Sequence, residues 1–230
     1  MLDELRRVVA ILHGAPQPGE ATNPSAIAAA FDAAAELSPE ASVALYSLGD
    51  PALLDGATHE LVSLLRDRGL ISRKSRVLEI GCGIGRFAQA LASEVESFAG
   101  IDVSRNMIRI ARERCAGLPN VALSVTSGHD LCEHASASFD LVLAVDSFPY
   151  INATGRGLAE RQIEESARVL ANRGSLAIFN FSYDEDFGVS RDRLRRVAGR
   201  AGLSLAAAEP RPLRRWDGSF FHLRKHGWAA

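Results

Sequence analysis

Val77-Leu78-Glu79-Ile80-Gly81-Cys82-Gly83-Ile84-Gly85-Arg86-Phe87 joins a short apolar run, a glycine-rich turn and the start of a helix. The run has the length and composition of a buried strand. Glycines in the turn permit unusual backbone angles and let a ligand touch the main chain. In open α/β sheets, ligands sit beyond the carboxyl ends of strands, which is where this turn must lie. The spacing narrows the ligand. A dinucleotide fingerprint places its third glycine five positions after the first. Here Gly85 is only four after Gly81, and arginine occupies the next position. The Gly-Lys-Ser/Thr ending of a phosphate P-loop is absent. Glu79 stands just before the turn, where a carboxylate is awkward beside a pyrophosphate and useful beside an ammonium.

Reading outward from this stretch, strands and helices alternate. Phe87 to Val95 reads as a helix, Phe98 to Asp102 as a strand, Asn106 to Cys115 as a helix, and Val121 to Val125 and Phe139 to Val145 as strands. Leu158 to Leu170 has a helical apolar face, Ser175 to Phe181 is a strand, and Asp192 to Ala201 a helix. Leu203 to Ala208 and Ser219 to Arg224 close the chain as two strands joined by a loop, which predicts an antiparallel hairpin at a sheet edge. The pattern predicts an α/β fold: a Rossmann-like, seven-stranded, mostly parallel sheet with an antiparallel last strand, helices on both faces, and the glycine turn at its centre.

Before residue 75 the pattern is helical. Leu2 to His13, Ala26 to Leu37 (with Asn23 or Ser25 near its start) and Pro51 to Arg68 (opened by Asp50) read as helices, and Gly14 to Gly19 breaks the first of them. This divides the chain into a helical extension at 1–74 and an α/β domain at 75–230. Leu45, Tyr46 and Leu48 precede a corner at Gly49-Asp50-Pro51, and the extension is expected to form a lid over the substrate site.

In order along the chain, several stretches resemble those of the class I S-adenosylmethionine-dependent methyltransferases that act on small molecules. Glu79 to Gly85 resembles the family's E-x-G-x-G-x-G motif, and Asp102 its ribose-binding acid. Asp102-Val103-Ser104-Arg105-Asn106-Met107, followed by Ala111, is similar to its D-x-S-x-x-M-x-x-x-A stretch, and Gly128-His129-Asp130-Leu131 to its adenine loop. Phe139-Asp140-Leu141-Val142 resembles its F-D-L-V strand, and Arg168-Val169-Leu170 to Gly174 its R-V-L-K-P-G-G turn, with Asn172-Arg173-Gly174-Ser175 departing from the last four positions. The resemblance spans roughly residues 75 to 182. It implies S-adenosylmethionine as cofactor, held by Glu79, Gly81, Cys82, Gly83, Gly85, Asp102, Val103, Met107, His129, Asp130, Leu131 and Val145. It also implies direct in-line methyl transfer, in which alignment of donor and acceptor carries much of the rate.

The acceptor side is less legible. Asp146-Ser147-Phe148-Pro149-Tyr150 follows the fourth strand, where donor and acceptor should meet. Asp146, Tyr150 and the late His222 are candidates for a base, and Tyr46, Phe148 and Tyr150 for substrate contacts. A methyl-transfer site needs no obligatory nucleophile, so a non-catalytic cofactor-binding regulator, a methyltransferase of protein or RNA, and an NAD(P)-dependent oxidoreductase stand as rivals. The balance of 47% hydrophobic and 23% charged residues suits a packed core. A net charge of −2 argues against nucleic acid as a partner, though arginines cluster at 191–200 and 211–215. No apolar run reaches bilayer length. Cys82, Cys115 and Cys132 show neither disulfide nor metal spacing, so no metal is expected and the compartment reads as cytoplasmic. The expected partners are a small-molecule substrate and a second copy of the chain.

Overall fold

A computed structural model describes residues 2–14 and 23–227. The extension folds as α1 (Leu2–His13), α2 (Pro24–Leu37), α3 (Pro39–Val43), a single 3-10 turn at Leu45–Ser47, and α4 (Pro51–Asp67). Three of these helices begin alike, with proline at the first position and a polar cap before it. Asn23 accepts from the Ala26 N–H at 3.1 Å, Ser38 from that of Ala41 at 3.4 Å, and Asp50 from that of Ala52 at 2.8 Å. Proline lacks only an N–H that the first turn could not use, and the side-chain oxygen satisfies another orphan donor. Of the predicted break at Gly14 to Gly19, only Gly14 falls within the described residues.

The α/β unit follows as β1 (Arg76–Ile80), α5 (Arg86–Leu91), β2 (Ser97–Asp102), α6 (Arg105–Arg114), β3 (Val121–Val125), β4 (Phe139–Val145), α7 (Phe148–Ala153), α8 (Arg156–Val169), β5 (Leu170–Phe179), α9 (Phe187–Arg200), β6 (Leu203–Glu209) and β7 (Phe220–Lys225). The seven strands lie in the order β3-β2-β1-β4-β5-β7-β6. The sheet is parallel except for β7, which pairs antiparallel with both β5 and β6. The expected edge hairpin therefore has a definite sense: β7 slots inward against β5, and β6 is left at the edge. β1 is interior, between β2 and β4.

The interior strands β1 and β4 are largely apolar on both sides because both sides are covered. In β4, Val142 and Ala144 face one core with Ile163 and Ala167 of α8 and Leu194 and Val197 of α9. Leu141, Leu143 and Val145 face the other with Leu61, Val62 and Leu65 of α4 and Phe87 and Leu91 of α5. Thus α4, although it precedes residue 75, covers a face of the sheet. A smaller cluster joins Ala35, Ala44 and Leu54 of the extension to Ile84, Met107 and Ile110, beside the glycine turn.

Candidate functional site

A cavity of about 620 Å³ opens at the carboxyl ends of β1, β2, β4 and β5. It sits where the strand order reverses: from β1 the chain builds outward through β2 and β3, then returns to place β4 on the other side of β1. Such a switch point is the ordinary ligand crevice of an open α/β sheet.

The floor is the turn after β1. Gly81 and Cys82 both donate to the Ile101 carbonyl, at 2.8 and 3.0 Å, which ties the turn to the end of β2. Gly83 has φ +51°, and a Cβ there would lie 2.7 Å from a methyl of Val43 in the extension, so a side chain would have to displace that roof. Gly85 serves packing instead. It faces Ala111 and Cys115, lets α6 approach, and does not line the cavity.

Two carboxylates flank the floor. Asp102 accepts from the backbone N–H of Gly83 at 2.8 Å and of Ser104 at 2.9 Å. Burial raises its pKa above the ordinary aspartate value, and these backbone donors oppose the rise. Glu79 is 1% exposed, and its Oε2 has no hydrogen-bond partner. Burial pushes its carboxyl up to about 8, against the pull of Arg86 and with the help of the Asp102 charge. An unpartnered buried acid is costly and calls for a cation or donor to answer it. Cys82, Val103, Met107, Asp130 and Val145 also line this half. The Asp130 carboxyl is held below its usual range by hydrogen bonds with Cys132 and also meets Arg161 at 2.9 Å. His129 is exposed and Leu131 lies in the core with its N–H on Glu165, so neither lines the cavity.

The other half of the cavity is aromatic. Asp146, at the end of β4, has left-handed backbone with φ 54°. Its carboxylate accepts from Trp216 Nε1 at 3.1 Å, Asn180 Nδ2 at 2.6 Å and the Tyr183 hydroxyl at 3.2 Å. Burial moves this carboxyl upward, while Arg86 and the three donors resist. Tyr150 lines the same space, and its phenol is pushed up to about 12 by burial and the Asp146 charge, so it stays a neutral hydroxyl. Tyr46 reaches in from the extension and takes a 3.1 Å hydrogen bond from Arg86, whose guanidinium also lies 4.5 Å over the Phe87 ring.

Two sequence candidates stand elsewhere. Phe148 is fully buried against Phe181, on the core side of α7. His222 lies within β7 opposite Ala177, with its ring nitrogen 2.9 Å from the Ser175 hydroxyl. Burial lowers the His222 pKa, and the residue does not line the cavity. Conversely, Arg86, Asn180, Tyr183 and Trp216 belong to the site, and no motif pointed to them. Arg86 was visible only as the residue that spoils a dinucleotide fingerprint. Among the described residues, no group of three or more His, Cys, Asp or Glu side chains is placed to hold a metal ion. No helix among them is long and apolar enough to cross a membrane.

Residues 77–174 match the family described as a methyltransferase domain. The chain is 31% identical over 117 residues to a demethylmenaquinone methyltransferase of Tropheryma whipplei, covering 51% of this chain and 46% of that protein. It thus spans about half the length of that curated relative. Among solved structures, phosphoethanolamine N-methyltransferase 1 of Haemonchus contortus superposes with a TM-score of 0.70 at 15% identity, over 91% of this chain and 51% of that one. The [4+2]-cyclase SpnF superposes with a TM-score of 0.59 at 18% identity, over 76% and 82%. Through residues 77–174, the stretch built on the glycine turn, the chain carries a methyltransferase domain, and its seven-stranded sheet has the fold of a solved methyltransferase.

Proposed function

We propose that the chain binds S-adenosylmethionine across the floor of this cavity and methylates a small organic acceptor held in the aromatic half. The observation that carries the reading is the pair of carboxylates on either side of the glycine turn, one of them unpartnered and buried. S-adenosylmethionine supplies an ammonium, a ribose diol and an activated methyl group, and no phosphate. Glu79 would answer the ammonium and Asp102 the ribose hydroxyls, with Val103, Met107 and Asp130 around the adenine. Arg86 and Tyr46 stand between the two halves and would orient the methionine end. The volume of about 620 Å³, partly roofed by residues 42–46 and Phe31, suits a small acceptor. Two of the similar proteins are themselves named for methylating small molecules. Four of the five arginines of α9 are paired with acids: Arg191 and Arg195 meet Asp192, Arg193 meets Glu185, and Arg200 meets Glu160.

The test is incubation of the full chain with isotopically labelled S-adenosylmethionine and a metabolite extract, with labelled small-molecule products read by mass. Labelled product together with S-adenosylhomocysteine supports the proposal. Tight cofactor binding without any product favours a non-methylating role, of which the fold is capable, since the cyclase shares it.

The Glu79 pKa gives a pH prediction. An ammonium favours the ionised carboxylate, so binding must displace a proton from a group whose value is about 8 in the empty site. Affinity for S-adenosylhomocysteine should therefore rise as pH climbs toward 8, by up to about tenfold per unit, and level off above it. Calorimetry in buffers of different ionisation enthalpy should detect the released proton. Glu79→Gln should weaken binding and flatten the profile. The same shift destabilises the empty protein as pH rises from the unfolded value of 4.5 to about 8, because the unfolded chain ionises first. Glu79→Gln should remove that loss from the melting curve. A pH-independent affinity in the parent protein would show that Glu79 does not meet the ligand's cation.

A further inference from the structure

The acceptor half of the cavity has a chemical signature of its own. Among the described residues that line the whole cavity, Arg86 is the single cation, against Asp146, Asp184 and Asp217 in the acceptor half and Asp102, Asp130 and the burial-raised Glu79 in the other. Asp130 is answered by Arg161, outside the cavity. Hydrogen bonds to the Tyr46 and Thr58 hydroxyls and a place over the Phe87 ring fix the Arg86 guanidinium toward the extension without cancelling its charge. The balance around the acceptor is negative.

Its walls are aromatic and locked to one another. The rings of Phe31 and Tyr150 meet edge to face at 4.9 Å, and those of Tyr150 and Tyr183 at 6.0 Å. Tyr183 and Trp216 then fix the Asp146 carboxylate through their polar tips. The strained left-handed backbone of Asp146 is held by a hydrogen bond from its N–H to the Phe179 carbonyl at 2.9 Å. A carboxylate held by the polar tips of two aromatic residues, in a cavity also lined by the Tyr150 ring and carrying one cation among several acids, is an arrangement suited to an organic cation. An anionic acceptor would meet Asp146, Asp184 and Asp217 with like charge. An uncharged apolar acceptor would leave Asp146 desolvated with no counter-charge but Arg86.

We propose that the acceptor compartment takes an alkylamine bound as its ammonium, with Asp146 as counter-charge and Tyr150, Tyr183 and Trp216 as walls; this rests on the reading of the chain as a methyltransferase. Asp146 is also placed to receive the proton that a primary, secondary or tertiary ammonium must shed before its nitrogen lone pair is free, the N–H bond breaking as an O–H bond forms on the carboxylate. Asp184 and Asp217, both exposed, attract a cation to the mouth.

The experiment is calorimetric titration of the full chain, first saturated with S-adenosylhomocysteine, with choline and separately with its uncharged carbon isostere, in which carbon replaces the nitrogen. The two probes share size and shape and differ in charge. Choline should bind at least about tenfold more tightly than the isostere. Asp146→Asn and, independently, Tyr150→Leu should each shrink that preference, with every variant's affinity for S-adenosylhomocysteine measured alongside. Equal binding of the two probes, binding of neither, or a preference unmoved by both substitutions overturns the proposal. Failure to saturate with S-adenosylhomocysteine in the first step would instead strike at the methyltransferase reading beneath it.

Discussion

Asp102→Ala should weaken S-adenosylhomocysteine binding by about 2–4 kcal/mol, roughly 30- to 1000-fold, in calorimetry or a thermal-shift titration. Two charge-assisted hydrogen bonds to the ribose account for most of that range. The geometry of the empty site adds a second source. Both oxygens of Asp102 already hold backbone donors, one on Gly83 and one on Ser104. The same carboxylate that would meet the ribose thus fixes the floor of the site before any ligand arrives. Alanine loses the contact and loosens the turn, whereas asparagine keeps an acceptor and should fall between. The empty variant need not melt lower, because removing a buried acid relieves a desolvation cost. Gly83→Val should abolish binding outright. Its Cβ would start 2.7 Å from a Val43 methyl, on a backbone with positive φ that a β-branched residue does not adopt readily. Unchanged affinity in both variants would mean that the ligand lies elsewhere.

The glycine turn and the strands around it were legible because their constraints are local. Strands buried on two faces must be continuously apolar, and a turn approached by main chain must be glycine, so β1 through β5 could be read in order. The boundaries moved where tertiary pairing won over periodicity. The helix predicted to reach Leu170 ends at Val169, because Leu170 pairs with Phe139 and begins β5. The short α3 and α7 escaped because five or six residues carry too little periodicity to register. Within α7 the same brevity hid direction: Phe148 points into the core and Tyr150 into the cavity, two residues apart on one turn. The cage around Asp146 was illegible for a different reason. Its donors come from beyond β5 and from the loop before β7, with Trp216 seventy residues away along the chain. No spacing rule joins them, and only the insertion of β7 beside β5 brings them together.

The other large effect concerns the extension. We propose that residues 23–50 form the working part of the lid, since α4 is occupied with the sheet. Val43 covers Gly83, the Ser42 hydroxyl lies 4.0 Å from the Met107 sulfur, Phe31 meets Tyr150, and Tyr46 meets Arg86. Each half of the cavity therefore has one wall supplied by the extension. The segment is also latched. Asp32 accepts from the Ser104 hydroxyl and from the Asn106 N–H at 3.0 Å, while the Asn106 amide donates back to the Asp32 carbonyl at 3.1 Å. Ser104 in turn caps α6 through the Met107 N–H at 3.1 Å, two residues beyond Asp102. Deleting residues 1–40 removes this latch and the Phe31 wall. Turnover should fall by at least about a hundredfold, because water enters and the acceptor is no longer held in line. Cofactor affinity should also fall, by roughly tenfold, the worth of a charge-assisted bond of about 1.5 kcal/mol lost beside the ribose acid. Asp32→Ala should reproduce the affinity loss with a smaller loss of turnover, since Phe31 and Val43 remain in place. Circular dichroism and a cooperative melt would establish that each variant is folded before its kinetics are read. A folded truncation with full methyl-transfer activity would mean that the extension serves stability or assembly, and that the sheet alone closes the site.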